Sequence, residues 1–410
     1  MLRLLRDNNN GTVMVITLAL VTLLAILSAA FASIATFGMR NANWHTRRAQ
    51  SFYITEAGLD KAIALLRQDG DWSASGCGDG SATNNFSGEG GWYPLHDPNT
   101  GTNVNNITIG SDTYSVSVQL CNPPGSNGKK IDIKAEGDSQ NVKRKIQMRA
   151  IGLSLAVFGD EGVDMAGHPV IDSYNSNNGP YGGTNIGANG NVGSNKDIEL
   201  QGNTILSGDA TPGPGCQVLI TSGSVTVTGS TEPAKELIYL PPVDINFSAT
   251  NGLAKHGNQT YTLTDGTYYF TNIDFSANSE LVINGNVTIY CESATFSGQA
   301  QITVNGKLKF YCSGDFKSTG GGIINATQKA ENFILYSSGA LVDIKLVGNS
   351  SFYGVIYAPN ADADVSGTND FYGSVIARTV TCSGTGLVHY DEALDNVIKI
   401  ITTALWHEVY

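Results

Sequence analysis

Residues 13–37 are twenty-five consecutive positions with no ionisable side chain, no Gly and no Pro. About 20 predominantly apolar residues suffice to cross a bilayer as a helix. Only twelve residues precede the run, and a long polar chain follows it. The chain thus has one greasy end, and the rest must fold outside the hydrocarbon. A cleavable signal peptide is the competing reading. Its apolar core is shorter, about 7 to 15 residues, but Ser28, Ala29, Ala30, Ala32 and Ser33 are small enough to keep that cleavage open. Arg3, Arg6 and the amino terminus flank one side and Arg40, Arg47 and Arg48 the other, so the positive-inside count is nearly balanced. The polar composition of the downstream chain and the short leading tail favour a single-pass protein of the cell envelope, with its head outside the cytoplasm.

The helix is expected to continue past the apolar run. Trp44, Arg48, Phe52, Leu59, Ile63 and Leu66 recur at helical intervals and form one stripe, the long Arg stem covering apolar surface. Asp69-Gly70-Asp71 is a stop signal. A helix over 12–68 is roughly 85 Å long at 1.5 Å per residue.

A short basic leader, Gly11, the apolar helix, and then Ser51-Phe52-Tyr53-Ile54-Thr55-Glu56-Ala57-Gly58-Leu59-Asp60-Lys61-Ala62 resemble the N-terminal module of PilX-type minor pilins over about the first seventy residues. The resemblance implies membrane insertion, prepilin-peptidase cleavage between Gly11 and Thr12, and helix packing with other pilins or pilus assembly proteins. It marks Glu56, Ala57, Gly58 and Leu59 as the helix motif. Two features depart from the pilin pattern. Asn8-Asn9-Asn10 precedes Gly11, and Ile16 stands five residues into the cleaved chain, where a major pilin carries Glu.

The net charge is −12. Residues 1–70 hold seven Lys and Arg against four Asp and Glu, a balance of +3, so the remainder carries −15. Such acidity argues against nucleic acid as a partner. None of the six cysteines shows Cys-x-x-Cys spacing, which leaves a metal or redox centre without support. Cys77 and Cys121 would close a loop of about 45 residues as a disulfide, worth about 3–4 kcal/mol; two free buried thiols are the alternative.

Residues 70–152 read as a small β-rich head. The stretches 114–120, 131–135 and 142–148 alternate apolar and polar residues, the period of half-buried antiparallel strands. Lys143, Arg144, Lys145 and Arg149 make a basic face, either a docking surface or a plain solvated strand face.

From 153 onward the chain repeats itself. Phe352-Tyr353-Gly354-Val355-Ile356-Tyr357-Ala358 returns nineteen residues later as Phe371-Tyr372-Gly373-Ser374-Val375-Ile376-Ala377. Asn284-Gly285-Asn286-Val287 through Cys291 returns twenty-one later as Asn305-Gly306-Lys307-Leu308 through Cys312, and Met165-Ala166-Gly167 is echoed by Leu200-Gln201-Gly202. Units of about 20 residues, each too small to bury its own apolar side chains, point to the coils of a solenoid. Phe352 is then expected on Phe371 and Tyr353 on Tyr372, with roughly ten or eleven coils over 153–390. Breaks near Pro212-Gly213-Pro214 and Pro241-Pro242 read as excursions. Leu394, Val397, Ile398, Ile401 and Leu405 line one helical face, so a helix over 391–405 is expected to cap the open end. The region resembles the Gly/Asn-rich β-solenoids found behind PilX-type N-termini and, more loosely, bactofilin-type β-helices.

The expected architecture is mainly β: leader 1–11, transmembrane and amphipathic helix 12–69, antiparallel head 70–152, right-handed parallel β-helix 153–390, and capping helix with tail 391–410. No catalytic residue, cofactor or metal site is assigned. Asp362, Asp364 and Asp370 lie close in sequence, as do His389, Tyr390, Asp391 and Glu392. The first group reads as turn chemistry and the second as a helix N-terminus. Three functions follow: a minor-pilin-like component whose solenoid meets a surface, with carbohydrate as a candidate ligand for Tyr353 and Tyr372; an anchored envelope scaffold outside any filament; and a tethered carbohydrate-active enzyme.

Overall fold

The computed structural model describes residues 8–68, 92–97, 100–120, 130–152, 154–235, 237–339, 343–348, 351–367, 370–384, 387–396 and 401–409. It comprises a long N-terminal helix, a small antiparallel sheet and a parallel β-solenoid of about 9 turns. That number is near the roughly ten or eleven expected, and 175–191 and 237–252 run outside the coils.

Helix α1 (Asn8–Gln68) is unbroken. Its side chains from Val13 to Asn43 are exposed. Thr17, Thr22, Ser28 and Thr46 turn their hydroxyls back onto carbonyls of the preceding turn. Within the apolar stretch Thr17, Thr22, Ser28 and Thr36 thus have satisfied hydroxyls, as a hydrocarbon environment favours. Farther on, the helix packs onto the head. Leu59, Ala62, Leu65 and Leu66 lie against Tyr114, Val116, Val118, Ile133, Ala135, Ile146 and Met148 in one core. Each fully buried large side chain there contributes about 1.5–3 kcal/mol.

The head sheet runs in the order Tyr93–Pro94, Asp112–Leu120, Lys130–Ser139, Val142–Gly152, Ile401–Val409. The last strand corrects the expected capping helix. Residues Glu392–Asn396 form a short 3-10 turn, and Ile401–Val409 is a strand that pairs antiparallel with Val142–Gly152, from Ile401 opposite Gly152 to Val409 opposite Lys145. The apolar spacing across 394–405 fits a helix, but Ile401, Thr402, Thr403, Trp406 and Val409 favour a pleated surface, and the open edge of Val142–Gly152 supplies the partner. The region 391–410 is thus no separate cap. The head contains the chain's last strand, and the whole solenoid is inserted between two neighbouring strands of the head sheet.

The coils do not stack in sequence order. From one end to the other, one face reads Val218–Ile220, Ile198–Leu200, Val157–Gly167, Phe371–Gly384, Phe352–Gly367, Asp343–Gly348, Phe316–Gly320, Asn286–Phe296, Gly266–Phe275 and Leu253–Lys255. The chain enters at Val157, the third strand of this face, and coils outward to Val227. It then crosses to the far end and coils back until its last turn lies on its first. All these pairings are parallel, with Val375 opposite Val157 and Cys382 opposite Met165.

The crossing segment runs along the outside of the stack and forms no strand over 237–252. The Asn195 side chain exchanges two hydrogen bonds with the Ile238 backbone, at 2.6 and 2.7 Å. Leu240 packs with Phe158, Tyr357 and Ile376, and the Tyr357 hydroxyl donates to the Pro241 carbonyl at 2.5 Å. Phe247 ends on Tyr269 and Tyr290.

Inside the solenoid, side chains of neighbouring coils meet like with like. Phe352 pairs in register with Phe371, ring centroids 5.0 Å apart. Tyr353 stacks on Tyr372 at 4.3 Å. On another face Tyr269, Tyr290, Tyr311 and Tyr336 form a ladder with centroid spacings of 5.3, 4.7 and 4.8 Å, close to the spacing of strands.

Candidate functional site

Two places concentrate the residues singled out from sequence: the helix–head junction and the seam where the last coil meets the first.

At the junction, α1 approaches the sheet closely because two glycines allow it. A Cβ on Gly58 would lie 3.0 Å from the Tyr114 ring and 3.3 Å from the Ala135 Cβ. A Cβ on Gly137 would meet the Thr55 hydroxyl at 2.4 Å. Ser51 donates to the Gly137 carbonyl at 3.0 Å. Leu59 is buried, whereas Glu56 and Ala57 are only half-buried. Lys61 pairs with the buried Asp97 carboxylate at 2.7 Å and ties the helix to the short strand His96–Asp97. Gly11 and Thr12 lie within α1. Cys77 and Cys121 lie outside the described residues. Cys291 and Cys312 are free thiols in register on adjacent coils, their Sγ atoms 3.7 Å apart.

At the seam, His389 is fully buried. Its Nδ1 bonds to the Asp172 carboxylate, whose other oxygen accepts from the Tyr181 hydroxyl at 2.6 Å. The Tyr181 ring lies 3.7 Å from the imidazole and the Tyr372 ring 4.8 Å from it. Tyr372 donates to Asp370 at 3.2 Å, and His389 Nε2 stands 4.0 Å from the same carboxylate. Burial, followed by the Asp172 hydrogen bond, raises the Tyr181 hydroxyl above the usual phenol range. Burial and then Asp370 do the same for Tyr372. Both phenols therefore remain proton donors at neutral pH.

The residues next to His389 close the same seam. Asp391 accepts from the backbone N–H of Ser176 at 2.9 Å and of Ala393 at 3.1 Å. Glu392 accepts from Ser173 at 2.7 Å and Asn189 at 2.8 Å. These bonds hold the 175–191 excursion against the last coil. The arrangement is a clamp, since the imidazole is enclosed and presents no ring nitrogen to solvent.

The other acidic group does not converge. Asp362 is taken up by Arg378 and Thr379, and Asp364 accepts from Ser366. Asp370 belongs to the seam. Tyr372 is 8% exposed and stacks on the half-buried Tyr353. Sequence reasoning missed the pairing of Asp164 with Glu199. Gln201 bridges them at 3.2 Å to each, and burial followed by Glu199 raises the Asp164 carboxyl above its usual range. The echo of 165–167 in 200–202 was its signal, for Glu199 stands opposite Asp164 in register.

Residues 223–397 match the family model described as Domain of unknown function (DUF7305). No curated protein matches the chain. Among solved structures, the competence-associated pilin ComZ from Thermus thermophilus aligns over 89% of this chain and 98% of its own, at 13% identity and a TM-score of 0.23. A TM-score that low does not establish a common fold over the aligned length.

Proposed function

We propose that the chain is a non-enzymatic, minor-pilin-like component of a type IV pilus-like system, inserted in the membrane through α1 and displaying its solenoid for contact with a surface. The observation that carries this reading is the two-part character of one continuous helix. By length and composition α1 suits a membrane span, and its apolar window is uncovered by the rest of the chain. Its later turns are docked on an antiparallel sheet through Gly58 and Leu59. An uncovered apolar helix requires lipid or other apolar helices around it, and a filament core of packed helices meets the same need after extraction from the bilayer. The solenoid is inserted between two neighbouring strands of that sheet.

A second reading, an anchored envelope scaffold that never enters a filament, is favoured by Ile16 at the place of the pilin Glu. The mature N-terminus separates the two. Mass spectrometry of sheared surface material and of membranes from the native host is expected to find chains beginning at Thr12 in the sheared fraction. An intact Met1, or a cut beyond Phe37, with no protein in sheared filaments overturns the pilin reading.

A further inference from the structure

We infer that the open end of the solenoid at 216–231 pairs with the same end of a second copy of this chain, giving a two-fold dimer in which end coils meet strand edge to strand edge.

The coil 216–231 rests on one neighbour only. Val218–Ile220 pairs with Ile198–Leu200, and Thr226–Val227 with Ile205–Leu206. Among the described residues no strand stacks on their outer side. Thr221, Thr226 and Thr228 give their N–H groups to the carbonyls of Leu200, Thr204 and Leu206. Bonding groups alternate from one side of a strand to the other, so Ile220 and Val227 turn their N–H groups away from the stack. The apolar core also reaches this end without a cover. Val218, Val225 and Val227 pack against it yet are only half-buried, and Ile220 is exposed. They line an open cleft of about 340 Å3, and every residue around it lies within 216–233.

Shape and charge select the occupant. The two edges lie on successive faces, separated by the corner at Gly223, where φ is +84°. A single extended peptide can pair with one of them, whereas a second solenoid end offers both and covers the apolar centre. Ile220 and Thr226 stand three residues to either side of Gly223. A two-fold axis through that corner therefore sets Val218–Ile220 of one copy antiparallel to Thr226–Val227 of the other, twice, and closes the assembly at two copies. An isologous contact brings identical surfaces face to face, so like charges there would repel. Residues 216–231 carry none, in a chain whose net charge is −12. The opposite end of the stack does not fit this surface. Lys255 lies there, 5.3 Å over the Tyr261 ring, with His256 next to it, and stacking it on an apolar coil would bury an unpaired cation.

The full-length protein in mild-detergent micelles is measured by analytical ultracentrifugation, and a dimer is expected. Ile220→Lys puts a charge on an exposed edge position and is expected to weaken the dimer by at least about tenfold, with an unchanged thermal melt. Ala254→Lys, exposed at the opposite end, is expected to leave the dimer intact. A monomeric parent overturns the inference. A dimer that Ile220→Lys does not weaken also overturns it, and assigns association to α1 or another surface. Assemblies longer than a dimer that Ala254→Lys breaks would mean stacking of unlike ends and overturn it as well. In the parent, amide exchange at Ile220 and Val227 should slow as concentration rises through the dimer range; exchange there that ignores concentration contradicts the pairing.

Discussion

At the scale of single residues, the solenoid depends on atoms that are absent. Gly167, Gly202 and Gly223 stack at one corner with φ of +97°, +68° and +84°. A Cβ on Gly202 would sit 2.0 Å from the Gly167 carbonyl oxygen. Gly215 has a similar φ of +76°, but a Cβ there would meet nothing. Gly215→Ala therefore carries backbone strain alone, about 1 kcal/mol, whereas Gly202→Ala must also push two coils apart and is expected to cost about 2–4 kcal/mol. Denaturant titration of both variants compares the two, and equal losses would contradict the corner packing. The tyrosines set a second expectation. Burial, then Tyr311, pushes the Tyr336 hydroxyl up to about 12, and burial followed by Asp395 raises that of Tyr390. The fold thus favours neutral phenols, while the unfolded chain releases these protons near pH 10. Their contribution is complete below about pH 10 and declines above it, by up to about 1.4 kcal/mol per pH unit for each such tyrosine. Denaturant midpoints should fall between pH 10 and 11; an unchanged midpoint over that range would exclude these tyrosines as contributors to stability.

At the scale of elements, the C-terminal strand is the one most exposed to test. Ile401–Val409 covers the edge of Val142–Gly152, and that edge would otherwise be open to other chains. Deleting 401–410 is expected to remove hydrogen-exchange protection from amides of 143–151 that pair with it, to leave the coils around Val157 protected, and to increase self-association. Unchanged protection over 143–151 would mean that the strand does not pair there in solution. The same segment shows where sequence reading reached its limit. The three head strands at 114–120, 131–135 and 142–148 were legible because each alternates apolar and polar residues on its own. The segment 394–405 carries apolar spacing that suits a helix, and what decides against it is a partner edge some 250 residues earlier, which no local period records. The clamp was likewise partial. Asp391 reads from sequence as the cap of a helix; it accepts from the Ala393 N–H, but of a short 3-10 turn, and Glu392 instead bonds Ser173 and Asn189. The bonding of His389 to Asp172 was not legible, because 217 residues separate them.

At the scale of the whole molecule, the order of stacking is the feature with the most consequences. Coils adjacent in sequence and in space announce themselves as echoes, as 352–358 does in 371–377. The contact of the last coil with the first leaves only single matches, Val375 on Val157, Val380 on Val163 and Gly384 on Gly167, with Ile376 opposite Phe158 and Cys382 opposite Met165 between them. This closure brings the entry and exit of the solenoid together, which is what permits Val142–Gly152 and Ile401–Val409 to be neighbours in the head. It also makes the two ends of the stack internal stretches of the chain, Val218–Val227 at one and Leu253–Leu263 at the other. The end at 218–227 is the less guarded. Residues 216–231 contain no charged side chain, and Ile220 is 59% exposed. In a quasi-one-dimensional stack, stability comes from nearest-neighbour interfaces, and fraying begins at terminal units. Native-state hydrogen exchange of the monomeric chain should therefore find the slowest solenoid amides in the coils farthest from both ends, 333–337 and 352–358, and the fastest strand amides in 218–227 and 253–263, with 157–165 slower than 198–200 and 218–220. A solenoid stacked in chain order would place 157–165 at an open end, among the fast-exchanging amides. Exchange at 157–165 as fast as at 218–227 would overturn the closed order, and protection that rises from 218 through 198 and 157 to 371 is the pattern the fold requires.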